Sequence, residues 1–128
     1  MELAIPHRPP VLLLERQIRA DVCELTVREG PWLRRGALAP EALIEALAQT
    51  CAAWAAHSSP ARSGDEVGRG GALAAVSRFE FPSPAVPGDV VNLQVRLQAT
   101  LGPLAAFEGV ARVGERVVAR GELRVART

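Results

Sequence analysis

The sequence predicts an α+β domain in which an antiparallel sheet wraps around one long central helix. Three observations carry this. Residues 40–57, P-E-A-L-I-E-A-L-A-Q-T-C-A-A-W-A-A-H, are dominated by Ala and Leu and are apolar on nearly every side, and a helix with almost no wet face is buried all round. From residue 72 onward the chain runs in long segments of strand character with growing regularity, which is how half-buried strands read. Turn residues separate the segments, most clearly Gly114-Glu115 between two alternating runs, a hairpin signal.

Taken in order, residues 5–10 are punctuated by Pro6, Pro9 and Pro10, which forbid a regular helix there. Val11 to Ile18 reads as a strand with Leu12, Leu14, Arg16 and Ile18 on one side and Leu13, Glu15 and Gln17 on the other. Ala20-Asp21 turns the chain into a second strand, Val22 to Arg28, in which Cys23, Leu25 and Val27 share a face. Glu29-Gly30-Pro31 ends it, and Trp32 to Ala39 reads as a loop delivering the chain to the helix. Pro40 suits a first helical position, where its missing N–H costs nothing. The helix is expected to be about 18 residues long, or roughly 27 Å. Residues 57–71, rich in Ser, Gly, Pro and charge, read as an exposed loop. Four strands follow, at Ala72 to Phe81, Val90 to Leu101, Ala105 to Val113 and Arg116 to Ala126.

Composition narrows the function. The 128 residues suit one domain, 1–128, with a core of its own. A net charge of +1 gives no electrostatic reason to bind nucleic acid or an anionic membrane. All 15 basic residues are Arg, which reads first as coding bias. Cys23 and Cys51 have no metal-ligand spacing and read as buried free thiols. The N-terminus shows no basic segment leading into an apolar one, so no signal peptide is expected, and no stretch reads as a membrane span. The expected location is the cytoplasm. Gly68, Gly70 and Gly71 make no phosphate loop, since no Lys follows them. Trp32 and Trp54 read as core or interface aromatics, and Asp89 as a structural turn residue.

Inside the apolar helix two polar residues stand out. Glu45 and Gln49 are four apart and share one stripe. Burial beside Leu43, Ile44 and Leu47 favours the neutral form of a carboxyl, the form from which a general acid donates. A buried Glu satisfied by a backbone contact or by Gln49 is the structural alternative.

A sheet wrapped around such a helix is the hotdog fold, and three segments carry a family resemblance. P-H-R-P-P-V-L-L-L-E-R at 6–16, L-I-E-A-L-A-Q at 43–49 and R-F-E-F-P-S-P-A-V-P-G-D at 78–89 resemble, in order, motifs of the bacterial β-hydroxyacyl-[acyl-carrier-protein] dehydratases. The compact segment before the helix is similar to dehydratase-like proteins of aryl-polyene and xanthomonadin-type pigment clusters. The resemblance implies an acyl-thioester protein of fatty acid or polyene biosynthesis, with the substrate carried on the phosphopantetheine of acyl carrier protein or of coenzyme A. It implies no other cofactor, no metal, and a homodimer or a heterodimer with a hotdog paralogue.

Dehydration of a β-hydroxyacyl thioester needs a base at the α-carbon, an acid at the β-hydroxyl and donors on the thioester carbonyl. The resemblance assigns Glu45 to the acid. It sets Gln49 beside the substrate and, through backbone N–H groups at the helix start, Leu38 and Ala39 as well. The family's His lies roughly fourteen residues before the helix carboxylate, where this chain reads G-P-W-L-R-R-G-A-L-A-P. His7 matches a packing residue of the first motif. His57 is the remaining candidate base, but it lies twelve residues from Glu45, about 18 Å along the helix; capping the helix C-terminus is its other role. Arg34 and Arg35 are poor bases and suit a phosphate or an acidic carrier-protein helix. Three functions follow: a dehydratase with an unusual or partner-supplied base, a non-catalytic partner subunit of an active dehydratase, or an acyl-thioesterase.

Overall fold

The computed structural model describes residues 13–58 and 72–126. Its elements are β1 (Arg16–Arg19), β2 (Val22–Thr26), β3 (Leu33–Arg34), β4 (Ala37–Leu38), α1 (Pro40–Ser58), β5 (Ala72–Glu80), β6 (Val90–Leu101), β7 (Leu104–Val113) and β8 (Arg116–Ala126). Six strands form one antiparallel sheet in the order β1-β2-β6-β7-β8-β5, with β3 and β4 as a separate hairpin. α1 packs chiefly on β6, β7 and β8.

Alternation explains the register of the sheet. Val91, Leu93 and Val95 of β6 point at α1, and Asn92 and Gln94 point away. On β7 and β8, Phe107, Ala111, Ala119, Leu123 and Val125 complete the buried face. Gly109 lets the helix come close: a Cβ there would sit 3.3 Å from a methyl of Leu47 and 2.9 Å from one of Leu123. Gly121 does the same for Phe79, whose ring lies 2.4 Å from where a Cβ would be.

Three expectations are corrected. The segment 32–39 is not a plain loop: Leu33 pairs with Leu38 and Arg34 with Ala37. Its two-residue turn, Arg35-Gly36, holds both central residues at positive φ, 54° and 80°, as a type I′ hairpin requires. In the first strand only Arg16–Arg19 pairs, and its faces differ from the simple alternation, with Leu14 and Gln17 buried and Ile18 43% exposed. The pairing register shifts between Gln17 and Arg19. Residues 11 and 12 lie outside the described residues. The helix, finally, is not buried on every side: Ile44, Glu45, Trp54, Ala55 and Ala56 are half-buried, and Glu41 and His57 are exposed. The sheet covers one side of it, so an apolar composition marks the other side as a surface for further contacts.

Cys23 on β2 and Cys51 on α1 are free and buried, as expected. Burial pushes the Cys23 thiol up from an ordinary value of 9.0 to about 11, partly opposed by a hydrogen bond with Thr50. Burial, and then the neighbouring Cys23, push Cys51 up further. An acid whose folded pKa is raised holds its proton in the folded state after the unfolded chain has lost it. The stability it contributes is complete below pH 9 and drains away as pH rises through about 11. Unfolding midpoints in urea are therefore expected to fall above pH 9, by up to ~1.4 kcal/mol per pH unit for each thiol. A Cys23→Ala, Cys51→Ala variant should show a flatter profile; an equally steep fall would assign the effect to other groups.

Candidate functional site

The site is built on the first half of α1. Ala39 caps the helix: its carbonyl accepts the N–H groups of Ala42 (3.0 Å) and Leu43 (3.2 Å), and Pro40 follows as the first helical residue. One turn on, Glu45 stands half-buried. Gln49 lies one further turn along and is 0% exposed. Its Oε1 accepts the backbone N–H of Leu13 at 2.9 Å, and its Nε2 donates to Glu45 Oε2 at 3.2 Å. A backbone N–H can only donate, so the oxygen of the amide must face Leu13 and its NH2 must face Glu45. The carboxyl is thus held by a neighbour whose own orientation is set from the main chain. Neither side chain lacks a partner. Gln49, expected beside the substrate, is sealed from solvent and bonded to Glu45.

The region to which the resemblance gives the base, residues 30–40, holds no His, and Pro31 at its start is exposed. A proline side chain accepts no proton. The β3–β4 hairpin follows directly. Arg34 in it forms a salt bridge with Glu41 in the first turn of α1, and Arg35 sits exposed at the turn. Leu38 and Ala39 are both buried, and their N–H groups already have partners: Leu38 donates to Ala85 O and Ala39 to Trp32 O, each at 2.8 Å. These two amides hold the hairpin to its surroundings, so carbonyl binding by them would first have to break those bonds. His57 is exposed in the last turn of α1. Twelve residues of helix separate it from Glu45 by about 18 Å, and one chain does not bring them together. His7 and Gly68, Gly70 and Gly71 lie outside the described residues.

Beside the helix start is a cleft of about 310 Å³. Hairpin, helix and the 81–84 segment form its walls, with Leu38, Leu43, Phe81, Pro82 and Val118 giving it an apolar lining and Arg34 and Ser83 its polar groups. Glu45 does not line it: Leu43 does, and the two are about 200° apart around the helix. The outer wall is clipped in place by Arg116, which donates to Ser83 Oγ (3.1 Å) and Pro84 O and reaches Asp89 Oδ2 at 3.4 Å. Asp89 Oδ2 also accepts the Val86 N–H at 2.9 Å, so Asp89 is structural as expected. The sequence marked Asp89 as a turn residue, but nothing in it linked residues 83–89 to Arg116, 27 or more positions on. Trp54 is a core aromatic, edge-on to Phe107 with ring centroids 5.4 Å apart. Among the described residues no cluster could hold a metal ion, and no helix is long and apolar enough to cross a membrane.

Fold and site together define a hotdog domain with a carboxylate, Glu45, on its central helix. The family model of the ApeP-like dehydratases matches residues 1–128, and the chain belongs to that family. It is similar to 3-hydroxyacyl-[acyl-carrier-protein] dehydratase FabZ of a Roseiflexus species, 32% identical over 133 residues, covering 95% of this chain and 90% of that one. FabZ of Caulobacter vibrioides is 31% identical over 129 residues, covering 92% and 79%. Among solved structures, the dehydratase heterocomplex ApeI:P from Xenorhabdus doucetiae superposes with a TM-score of 0.84 at 25% identity, covering 98% of this chain and 89% of that one. Zebra fish thioesterase superfamily member 2 shares the fold, with a TM-score of 0.65 at 15% identity and coverage of 84% and 73%.

Proposed function

We propose that this chain supplies the acid half of a composite β-hydroxyacyl-thioester dehydratase site, completed by a His-bearing hotdog subunit. The observation that carries the reading is the pairing of a positioned Glu45 with a segment, residues 30–40, that holds no His where the base would stand. In such a site the partner's base takes the α-proton of the thioester, and the electron pair moves toward the carbonyl. Glu45, acting as the acid, gives a proton to the β-hydroxyl, which leaves as water. An α,β-unsaturated thioester remains, and the proton passes back from base to carboxylate for the next turnover. The substrate is read as an acyl group on phosphopantetheine, borne by acyl carrier protein or coenzyme A.

The sheet edges favour this assembly. β1 is a four-residue edge with a register shift, dressed by the Arg16–Glu24 and Arg19–Asp21 ion pairs, features that blunt pairing. β5 is nine residues long and leaves Leu73 and Val76 exposed, which suits joining to another sheet. The relative that superposes along almost the whole chain is itself part of a dehydratase heterocomplex.

The test is to purify the chain alone and together with a His-bearing hotdog subunit of the same organism. Each is incubated with a 3-hydroxyoctanoyl-carrier thioester and followed by intact mass. The complex is expected to remove one water, and the chain alone to leave the thioester unchanged. Equal turnover by the chain alone would overturn the composite site, and release of free carrier thiol would point to thioester hydrolysis instead.

A further inference from the structure

We propose that Arg78 makes the β5 edge selective. It requires a carboxylate from the strand that joins there, which a second copy of β5 does not offer and a paralogous hotdog subunit with an acidic edge strand does. The assignment rests on the two-subunit reading above, and its test reads pairing rather than turnover. Three features carry it: a backbone conformation that disfavours arginine, a guanidinium with no acid to meet, and the symmetry of an edge-to-edge pair.

β5 contains a bulge. Ser77 pairs with Glu122 and Glu80 with Arg120, so Arg78 and Phe79 together face the single residue Gly121. Arg78 takes the first bulge position at φ 58°, a left-handed conformation that suits glycine and strains a residue with a side chain. Phe79 holds the bulge in place. It fills the space that Gly121 leaves open, where a Cβ would lie 2.4 Å from its ring, and it stacks on Phe81 with ring centroids 5.9 Å apart. The backbone therefore has no need of arginine at 78, since glycine would adopt the same conformation with less strain. What arginine adds is an exposed cation on the edge strand.

No acid among the described residues pairs with that cation. The acids at the two ends of the bulge are engaged elsewhere: Glu80 with Arg120 at 2.8 Å, and Glu122 with the Ser77 hydroxyl at 3.2 Å. Open to water, an unpaired guanidinium costs little. Covered by another strand, it loses its hydration and needs a carboxylate, which it holds best through two parallel hydrogen bonds.

β5 reads A-L-A-A-V-S-R-F-E, with Arg78 its one base and Glu80 its one acid. In a two-fold pair of identical chains the same patch lies on both sides. Each Arg78 then meets a strand whose single carboxylate is already bound by Arg120, and the edge carries two unanswered cations. A paralogue escapes that constraint, because its edge strand can carry an acid where this chain has none. Leu73 and Val76, exposed on the same strand, offer apolar contact to either partner. Arg78 discriminates between them by making the identical pair the costly one.

The experiment measures pairing of the full chain with a His-bearing hotdog subunit of the same organism, by native mass spectrometry and titration calorimetry. Wild type is expected to bind that subunit about tenfold or more tightly than it binds itself. Arg78→Gly removes the charge and relaxes the backbone. It should unfold at no lower urea concentration than wild type, yet bind the subunit about tenfold or more weakly. A merely structural role for Arg78 would not split the two readouts in that way. Should that variant fail to fold, Arg78→Asn, which also tolerates the left-handed backbone, replaces it with the same expectation. Arg78→Glu should bind more weakly still, and recover when an acid on the subunit's edge strand is replaced by Arg. Arg124→Ala, which removes an exposed cation from β8, should bind like wild type. Unchanged binding by folded Arg78→Gly would overturn the proposal. So would self-pairing as tight as pairing with the subunit, or an equal loss in Arg124→Ala. If the complex forms as expected and eliminates no water, the composite site falls and the role of Arg78 stands. If it eliminates water while Arg78→Gly pairs like wild type, Arg78 loses that role and the composite site stands.

Discussion

Glu45→Gln is expected to cut water elimination by the complex by about 10²- to 10⁴-fold, the usual contribution of a positioned general acid or base, while leaving the chain folded. The substitution keeps size and shape at a half-buried position. The new amide can turn its oxygen to the Nε2 of Gln49, so the hydrogen bond now 3.2 Å long is retained. What is lost is the proton that the carboxyl gives to the leaving hydroxyl. Without it hydroxide must depart, and the barrier rises. Unfolding in urea should shift by no more than ~0.5 kcal/mol, as for substitutions that create no cavity and orphan no polar group. Turnover within threefold of wild type would return Glu45 to the role of a buried, satisfied carboxyl.

Phe107→Ala is expected to have the largest effect on stability, a loss of about 3–5 kcal/mol. Phe107 is 2% exposed in the middle of β7, facing α1, and meets Trp54 edge-on at an interplanar angle of 79°. Removing the ring leaves a cavity between sheet and helix and takes away the aromatic partner of Trp54. Against a total of about 5–15 kcal/mol for an ordinary domain, such a loss brings the chain near the edge of folding. Urea denaturation read by tryptophan emission measures it. Leu101→Ala, at a side chain 79% exposed, serves as the control and should stay within ~0.5 kcal/mol. A loss under ~1 kcal/mol at Phe107 would mean that the helix does not sit on the sheet as described.

Much of this was legible in the chain. The helix was expected over 40–57 and is found as Pro40–Ser58, because Ala and Leu propensity, the N-terminal proline and the lack of interior breakers all agree. β6 and β8 have the expected bounds, Val90–Leu101 and Arg116–Ala126, since apolar and polar residues alternate over most of each run. Glu45 and Gln49 were expected on one stripe from their spacing alone, and they are neighbours there. The β3–β4 hairpin was missed because its strands are two residues each and its turn puts Arg35, rather than a residue such as Asn or Gly, at positive φ. That geometry is imposed by pairing and by the bonds from Leu38 and Ala39 to Ala85 and Trp32.

The sequence by itself determined the fold class, the helix that the sheet covers, the family motifs and the identity of the one carboxyl in the middle of that helix. These follow from short-range periodicity and residue type. Only the tertiary structure decided that Gln49 turns its amide toward Glu45, since Leu13 supplies the N–H that fixes it from 36 residues away. Only the structure placed Arg116 on the wall of the cleft and occupied the N–H groups of Leu38 and Ala39. Each depends on contacts between segments far apart in the chain, whose distances and orientations no local pattern encodes.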